Sequence, residues 1–340
     1  MKSLERNSNI ELLRIILMFM ILALHVNMPS LGFPSVKECV DYPLQSFMRY
    51  FNEYLCLGAV NTYVLISGWF GINYKTKGLC NYLFQCLFFS ITIFIVFALL
   101  GKIELNRINI LSSILLYKNA YWFVWSYLIL YLFSPILNSF IQNTKKQTYK
   151  RVLISLFLVQ TVIYIFTRCG FYQGGYHPLS FIALYLLARY IRLYGCIPKK
   201  DIAITGFFAC VLINTLLTFL PIYIQHRDLL LGILLSYTNP LNIVGPLFLL
   251  LFFVQLQIRS KIINWIAVSC FSVYLLHCHF NLGDYYKKYS KYIYDNYSGL
   301  EYYIVILSYM AFIFIIAIII DKIRIFCFNR IWNILEKKDK

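Results

Sequence analysis

The sequence predicts an all-α protein: a polytopic transmembrane helical bundle of about ten spans, with both termini cytoplasmic. Three observations lead there. Of the 340 residues, 60% are hydrophobic, 19% aromatic and 13% charged, whereas soluble domains carry about a quarter charged residues. Apolar runs recur from residue 10 to about residue 321, each near the roughly 20 residues that a spanning helix needs. The Lys and Arg residues between those runs fall unevenly on the two sides.

The expected spans cover 10–28, 54–72, 79–101, 121–141, 152–168, 179–194, 202–223, 240–258, 264–282 and 301–321. The basic segment MKSLERNSN precedes the first run and no small-residue cleavage site follows it, so that run reads as a retained helix rather than a signal peptide. With the N-terminus inside, the inner segments hold 20 of the 31 Lys and Arg residues and the outer side ten, Arg14 being the remaining one. The bias places both ends in the cytoplasm. It also accounts for the net charge of +17 as topology, with no nucleic-acid partner. The region 103–120 has room for an interfacial helix. No internal repeat of the kind found in inverted-repeat transporters is visible. The whole chain, 1–340, reads as one membrane domain with a short basic tail at 322–340. Ten cysteines show no CxxC pair and lie mostly in the spans, as small apolar packing residues. Cys39 and Cys169 fall in outer loops, where a disulfide between them stays an open option.

The first span carries the chemistry. It reads ELLRIILMFMILALHVN over residues 11–27. A charged side chain at mid-bilayer costs about 3 kcal/mol and normally faces a partner or a water-filled cavity. Eleven steps of about 100° put Arg14 and His25 on one helix face, about 16 Å apart along the axis. Glu11 lies three residues before Arg14, within reach of an ion pair. A polar stripe therefore runs from the inner boundary deep into the bundle. Snorkelling of Arg14 to headgroups and anchoring of His25 at the far interface is the other reading of the same residues.

Arg14, ten residues, then His25 resembles the R-x10-H signature of the membrane-bound acyltransferase-3 family. Three further stretches are similar to that family's and follow in its order: NTYVLISGWFG (61–71), YWFVWSYLILYLFSPILN (121–138) and SCFSVYLLH (269–277). The likeness spans nearly the whole chain. It implies an integral membrane O-acyltransferase of the bacterial cytoplasmic membrane. Such an enzyme moves an acyl group, commonly acetyl from acetyl-CoA, to a hydroxyl of a cell-surface or lipid-linked glycan.

That chemistry needs a base for the attacking hydroxyl, and histidine titrates near working pH. The resemblance assigns this role to His25, with a covalent acyl-histidine as the second option. At about 16 Å from His25, Arg14 fits a contact to donor phosphate or pantetheine better than direct orientation of the imidazole. The donor needs positive charge on the inner side. Lys75 and Lys77 stand where the family often has an arginine pair, and lysines lack the guanidinium's bidentate fork. Arg189 and Arg192 are also inner and i,i+3 neighbours, although topology alone accounts for basic residues there.

Ser67 and Gly68 allow close approach of a helix or of the acyl chain, or are packing residues. Trp122, Trp125 and Tyr127 suit stacking on a sugar or adenine and equally suit an interfacial belt. His277 matches the family's late histidine and would line the cavity. His279, two residues on, would face the opposite side of a helix, so no metal site is expected. Arg49 and Glu53 are placed for a local ion pair. No bound cofactor is expected, acetyl-CoA being a substrate. Expected partners are membrane lipids, acyl-CoA, the glycan acceptor and, as an open option, a partner transferase or glycan-assembly proteins. The alternative class is a transporter of polysaccharide or lipid intermediates, in which the stripe lines a path without chemistry.

Overall fold

A computed structural model describes residues 7–116, 121–163, 173–219 and 227–338. Every regular element among them is helical. In chain order the α-helices are α1 Ser8–Val26, α2 Met28–Leu31, α3 Val36–Asp41, α4 Pro43–Leu57, α5 Ala59–Phe70 and α6 Thr76–Leu99. They continue with α7 Arg107–Leu115, α8 Trp122–Asn143, α9 Lys146–Leu158, α10 Pro178–Tyr194, α11 Lys200–Phe219 and α12 Arg227–Leu234. The last five are α13 Leu241–Phe253, α14 Lys261–Ala267, α15 Phe271–His277, α16 Gly283–Asn296 and α17 Gly299–Lys338. The all-α class is observed. Among the described residues, five stretches are long and apolar enough to cross a membrane: Ser8–Leu31, Thr76–Leu99, Trp122–Asn143, Lys200–Phe219 and Gly299–Lys337.

Several expected spans have a different form. The run 54–72 is broken at Gly58, between α4 and α5. A Cβ there would stand 2.8 Å from the Pro246 ring, so glycine is what lets α13 come this close. The run 264–282 breaks between Ala267 and Phe271 and its helix stops at His277. The amides of Ser269, Cys270, Ser272 and Val273 all bond three residues back, tightening the chain into 3-10 turns. The Ser272 hydroxyl adds bonds to the carbonyls of Ser269 and Ala317. The expected tail is helical over 322–338, since α17 is unbroken for 40 residues, about 60 Å at 1.5 Å per residue. A helix does occupy the region 103–120, as α7. Cys169 and the end of the 152–168 run lie outside the described residues.

The chain divides into two compact units: residues 1–74 with 125–260, and residues 75–124 with 261–340. In the first, α1 packs on α4, α5 and α13, α5 on α10, and α11 on α13 and α4. Hydrogen bonds give the directions. Asn9 of α1 reaches the Phe253 carbonyl at the end of α13, so the two helices are antiparallel. Asn61 in the first turn of α5 reaches Asn242 at the start of α13, so α5 runs parallel to α13 and antiparallel to α1. Ser8 meets Ser260, and Lys146 lies over the Tyr194 ring. Segments 7–9, 142–151, 195–201 and 259–260, which the sequence places inside, thus gather at one end of this unit. The opposite end is knitted by buried amides: Asn61 donates to the Tyr237 and Asn242 carbonyls, Asn214 to Asn242 Oδ1 at 2.7 Å, and Asn239 to Asn214 Oδ1 at 3.0 Å.

In the second unit α6 packs against α7, α15 and α17, and α16 against α17. Its core holds a guanidinium. Arg324, 2% exposed, reaches Asp321 Oδ1 through Nε at 2.9 Å and Nη2 at 2.7 Å, and Asn81 Oδ1 through Nη1 at 2.6 Å. Gln85 Nε2 donates to the same Asp321 oxygen at 2.9 Å. A charge buried this deeply is tolerated because it is paired and hydrogen-bonded.

α10 begins on a titratable cap. His177 Nδ1 accepts the Leu179 amide at 3.3 Å, and Pro178 occupies the first turn. Accepting requires an unprotonated Nδ1. Burial holds the His177 pKa below its usual 6.5, so the folded chain binds this proton more weakly than the unfolded chain does. The stabilisation is therefore complete above 6.5 and is lost as pH falls through the lowered value. Hydrogen exchange at the first turn of α10, corrected for intrinsic rates, should rise between neutral and mildly acidic pH. His177→Asn, which caps without titrating, should flatten that profile; the same rise in the variant would show that His177 is not its source.

Candidate active site

No residue of α1 is exposed. Arg14 and His25 are both half-buried in it. Arg14 Nη1 lies 2.9 Å from Glu11 Oε1, with Glu11 buried and a third of the Arg14 side chain accessible. The Arg14 carbonyl accepts the Tyr63 hydroxyl from α5 at 2.6 Å. One turn on, the Ser67 and Tyr127 hydroxyls are 3.1 Å apart, tying α5 to α8.

Gly68 has a structural reason. A Cβ would lie 2.3 Å from the Tyr185 carbonyl oxygen and 2.8 Å from its Cα, so α5 and α10 touch backbone to backbone here. Tyr185 then ties the chain beyond α5 in place. Its hydroxyl accepts the Ile72 amide at 3.1 Å and donates to Asn138 Oδ1 at 2.6 Å, while Asn138 Nδ2 donates to the Ile72 carbonyl at 2.9 Å.

His25 sits half-buried in the last turn of α1, its carbonyl accepting the Ser30 hydroxyl. The helix end is pinned by Asn27, whose amide donates to the Arg49 carbonyl at 2.8 Å and to Glu53 Oε2 at 2.9 Å. Arg49 and Glu53, which attract each other, also have partners of their own. The Arg49 guanidinium goes to the Gly32 carbonyl and the Glu53 carboxyl to Asn27. Asn27 gives little signal in the sequence, because one amide after an apolar helix reads as an ordinary cap.

A family model described as an acyltransferase domain matches residues 7–322, across both units. The chain belongs to the acyltransferase-3 family. No curated protein and no solved structure matched it. Glu11, Arg14, His25, Ser67 and Gly68 all belong to the first unit, and Lys75, Lys77, Trp122 and His277 to the second.

Lys75 is the exposed N-cap of α6. Lys77 lies 3.8 Å from Glu336 and over the Trp332 ring, both on α17. Trp122 opens α8 beside Phe123. His277 is buried at the end of α15, with Nδ1 2.6 Å from the Val273 carbonyl and Nε2 3.3 Å from Cys278 Sγ. It lines a cavity of about 510 Å³ with Tyr285, Tyr286, Tyr289 and Tyr309. His279 lies beyond the helix end, so helical spacing does not relate it to His277. It is wholly buried, its ring stacked on Phe280 at 4.3 Å.

Proposed function

We propose that this chain is a multi-pass O-acyltransferase of the bacterial cytoplasmic membrane, moving acetyl from acetyl-CoA to a hydroxyl of a cell-surface or lipid-linked glycan. The observation that supports this reading most is the acyltransferase match over residues 7–322, with Arg14 and His25 half-buried on an α1 that has no exposed residue. His25 acts as general base. The acceptor oxygen attacks the thioester carbon as His25 takes its proton; the C–O bond forms and the C–S bond breaks. The imidazolium then returns the proton to the thiolate, releasing free coenzyme A. Arg14, held by Glu11, offers its remaining donors to the anionic or amide part of the donor. Ten spans with both termini inside complete the reading; for the N-terminus, segment 7–9 shares one end of the first unit with the basic segments 142–151, 195–201 and 259–260.

Membranes carrying the chain, given acetyl-labelled acetyl-CoA, should release coenzyme A and place label in alkali-labile esters on glycan. Membranes with no label above control, but with altered glycan export, would replace this reading with the transporter.

A further inference from the structure

Two arginines converge on one carbonyl at the end of α5. Arg189 Nη1 donates to the Trp69 carbonyl at 3.3 Å, and Arg192 Nη1 donates to the same oxygen. The Arg192 guanidinium also lies 5.8 Å from the Trp69 ring and 5.4 Å from the Phe70 ring. Gly71 follows in a left-handed conformation that favours glycine. Its φ is +78°, and a Cβ there would come 3.5 Å from the Arg189 guanidinium.

The bland account is a helix cap, since basic side chains often bond the last carbonyls of a helix. One arginine would suffice for that. Two cations on one acceptor repel each other, and each guanidinium carries five N–H donors. Arg189 Nε is buried with no partner, and among the described residues no carboxylate makes an ion pair with either arginine. Arg192 is exposed, so a ligand can reach the pair. Lys199 and Lys200 follow just after α10, adding positive charge at the same end. Charge in this quantity with its donors unspent fits a multiply charged anion.

We propose that Arg189 and Arg192, braced on the Trp69 carbonyl, bind the diphosphate of the acyl donor. Adjacent guanidinium forks can each take one phosphate bidentately. This assignment rests on the acyl-CoA reading for the donor's identity, but binding can be measured without turnover. The site lies on α10, remote in sequence from Lys75 and Lys77, and supplies the bidentate recognition that lysines there lack. Phospholipid headgroups share the phosphate chemistry, so the test must separate the two sources.

The full chain in detergent would be titrated with coenzyme A and, separately, with phosphate-free pantetheine. Arg189→Gln and Arg192→Gln should each weaken coenzyme A binding about tenfold, leave pantetheine binding unchanged and keep the thermal midpoint. Arg192→Lys should recover part of the loss through charge alone. Equal coenzyme A affinity in wild type and variants, no coenzyme A binding by the wild type, or equal losses for both ligands would each overturn the assignment. So would variants that keep coenzyme A but lose co-purifying phospholipid in native mass spectra, since the arginines would then hold headgroups. Arginine-dependent coenzyme A binding in a chain that acetylates nothing would leave the site standing and remove the proposed reaction.

Discussion

His25→Gln is expected to reduce acyl transfer by about 10²- to 10⁴-fold, the range that a positioned general base supplies, while the chain still folds. Glutamine keeps a hydrogen-bonding side chain of similar reach but cannot take a proton at working pH. The residue is half-buried in the last turn of α1, and the neighbouring fixed point, Asn27, is untouched by the change. Any fold loss should therefore be small and visible as a shift in thermal midpoint. Arg14→Gln should act differently. It removes a cation from the Glu11 pair and should raise KM for the donor more than it lowers kcat. Matched protein levels in membranes, coenzyme A release and ester formation are the measurements. If His25→Gln retains more than about a tenth of the wild-type rate, the proton goes elsewhere; if it retains glycan export and the wild type acetylates nothing, the polar stripe is a path.

The all-helical membrane class was legible because composition and apolar run length leave little else. α1 was legible for a sharper reason: two polar side chains on one face of an apolar helix demand an explanation. The breaks were not. Gly58 interrupts a run that is apolar on both sides, and the close contact that requires a glycine there is with Pro246, nearly 190 residues away. The tightened turns at Ser269–Cys270 depend on hydroxyl bonds that apolar periodicity does not encode. Two features did carry overlooked signals. Residues 300–338 contain neither Gly nor Pro, consistent with a helix that runs straight through the supposed tail. Ser35 and Glu38 form the S-x-x-E capping box of α3 in a stretch read as loop. Arg189 and Arg192 were visible as basic residues, but charge bias accounts for any cation at a helix end. Their shared acceptor exists only in three dimensions.

Gly68→Ala should be far more damaging than Gly206→Ala, although both add one methyl to an apolar helix of the same unit. Alanine gains about 1 kcal/mol in helix propensity over glycine at either site. At Gly206 the added Cβ meets the Phe248 ring at 2.8–3.0 Å. That ring can turn aside, so the two effects should nearly cancel. At Gly68 the nearest atoms are the Tyr185 carbonyl oxygen, Cα and carbonyl carbon, at 2.3, 2.8 and 2.9 Å. All three are backbone, so α5 and α10 must separate. Overpacking of this kind costs about 1–3 kcal/mol or more, and separation also draws the Trp69 carbonyl away from Arg189 and Arg192 and loosens the Ile72–Tyr185–Asn138 bonds. The midpoint of thermal inactivation in detergent should therefore fall for Gly68→Ala and stay near wild type for Gly206→Ala, with coenzyme A binding weakened only in the former. Equal midpoints for the two variants would mean that α5 and α10 do not touch at Gly68. Without that contact the two guanidiniums would have no common carbonyl to rest on.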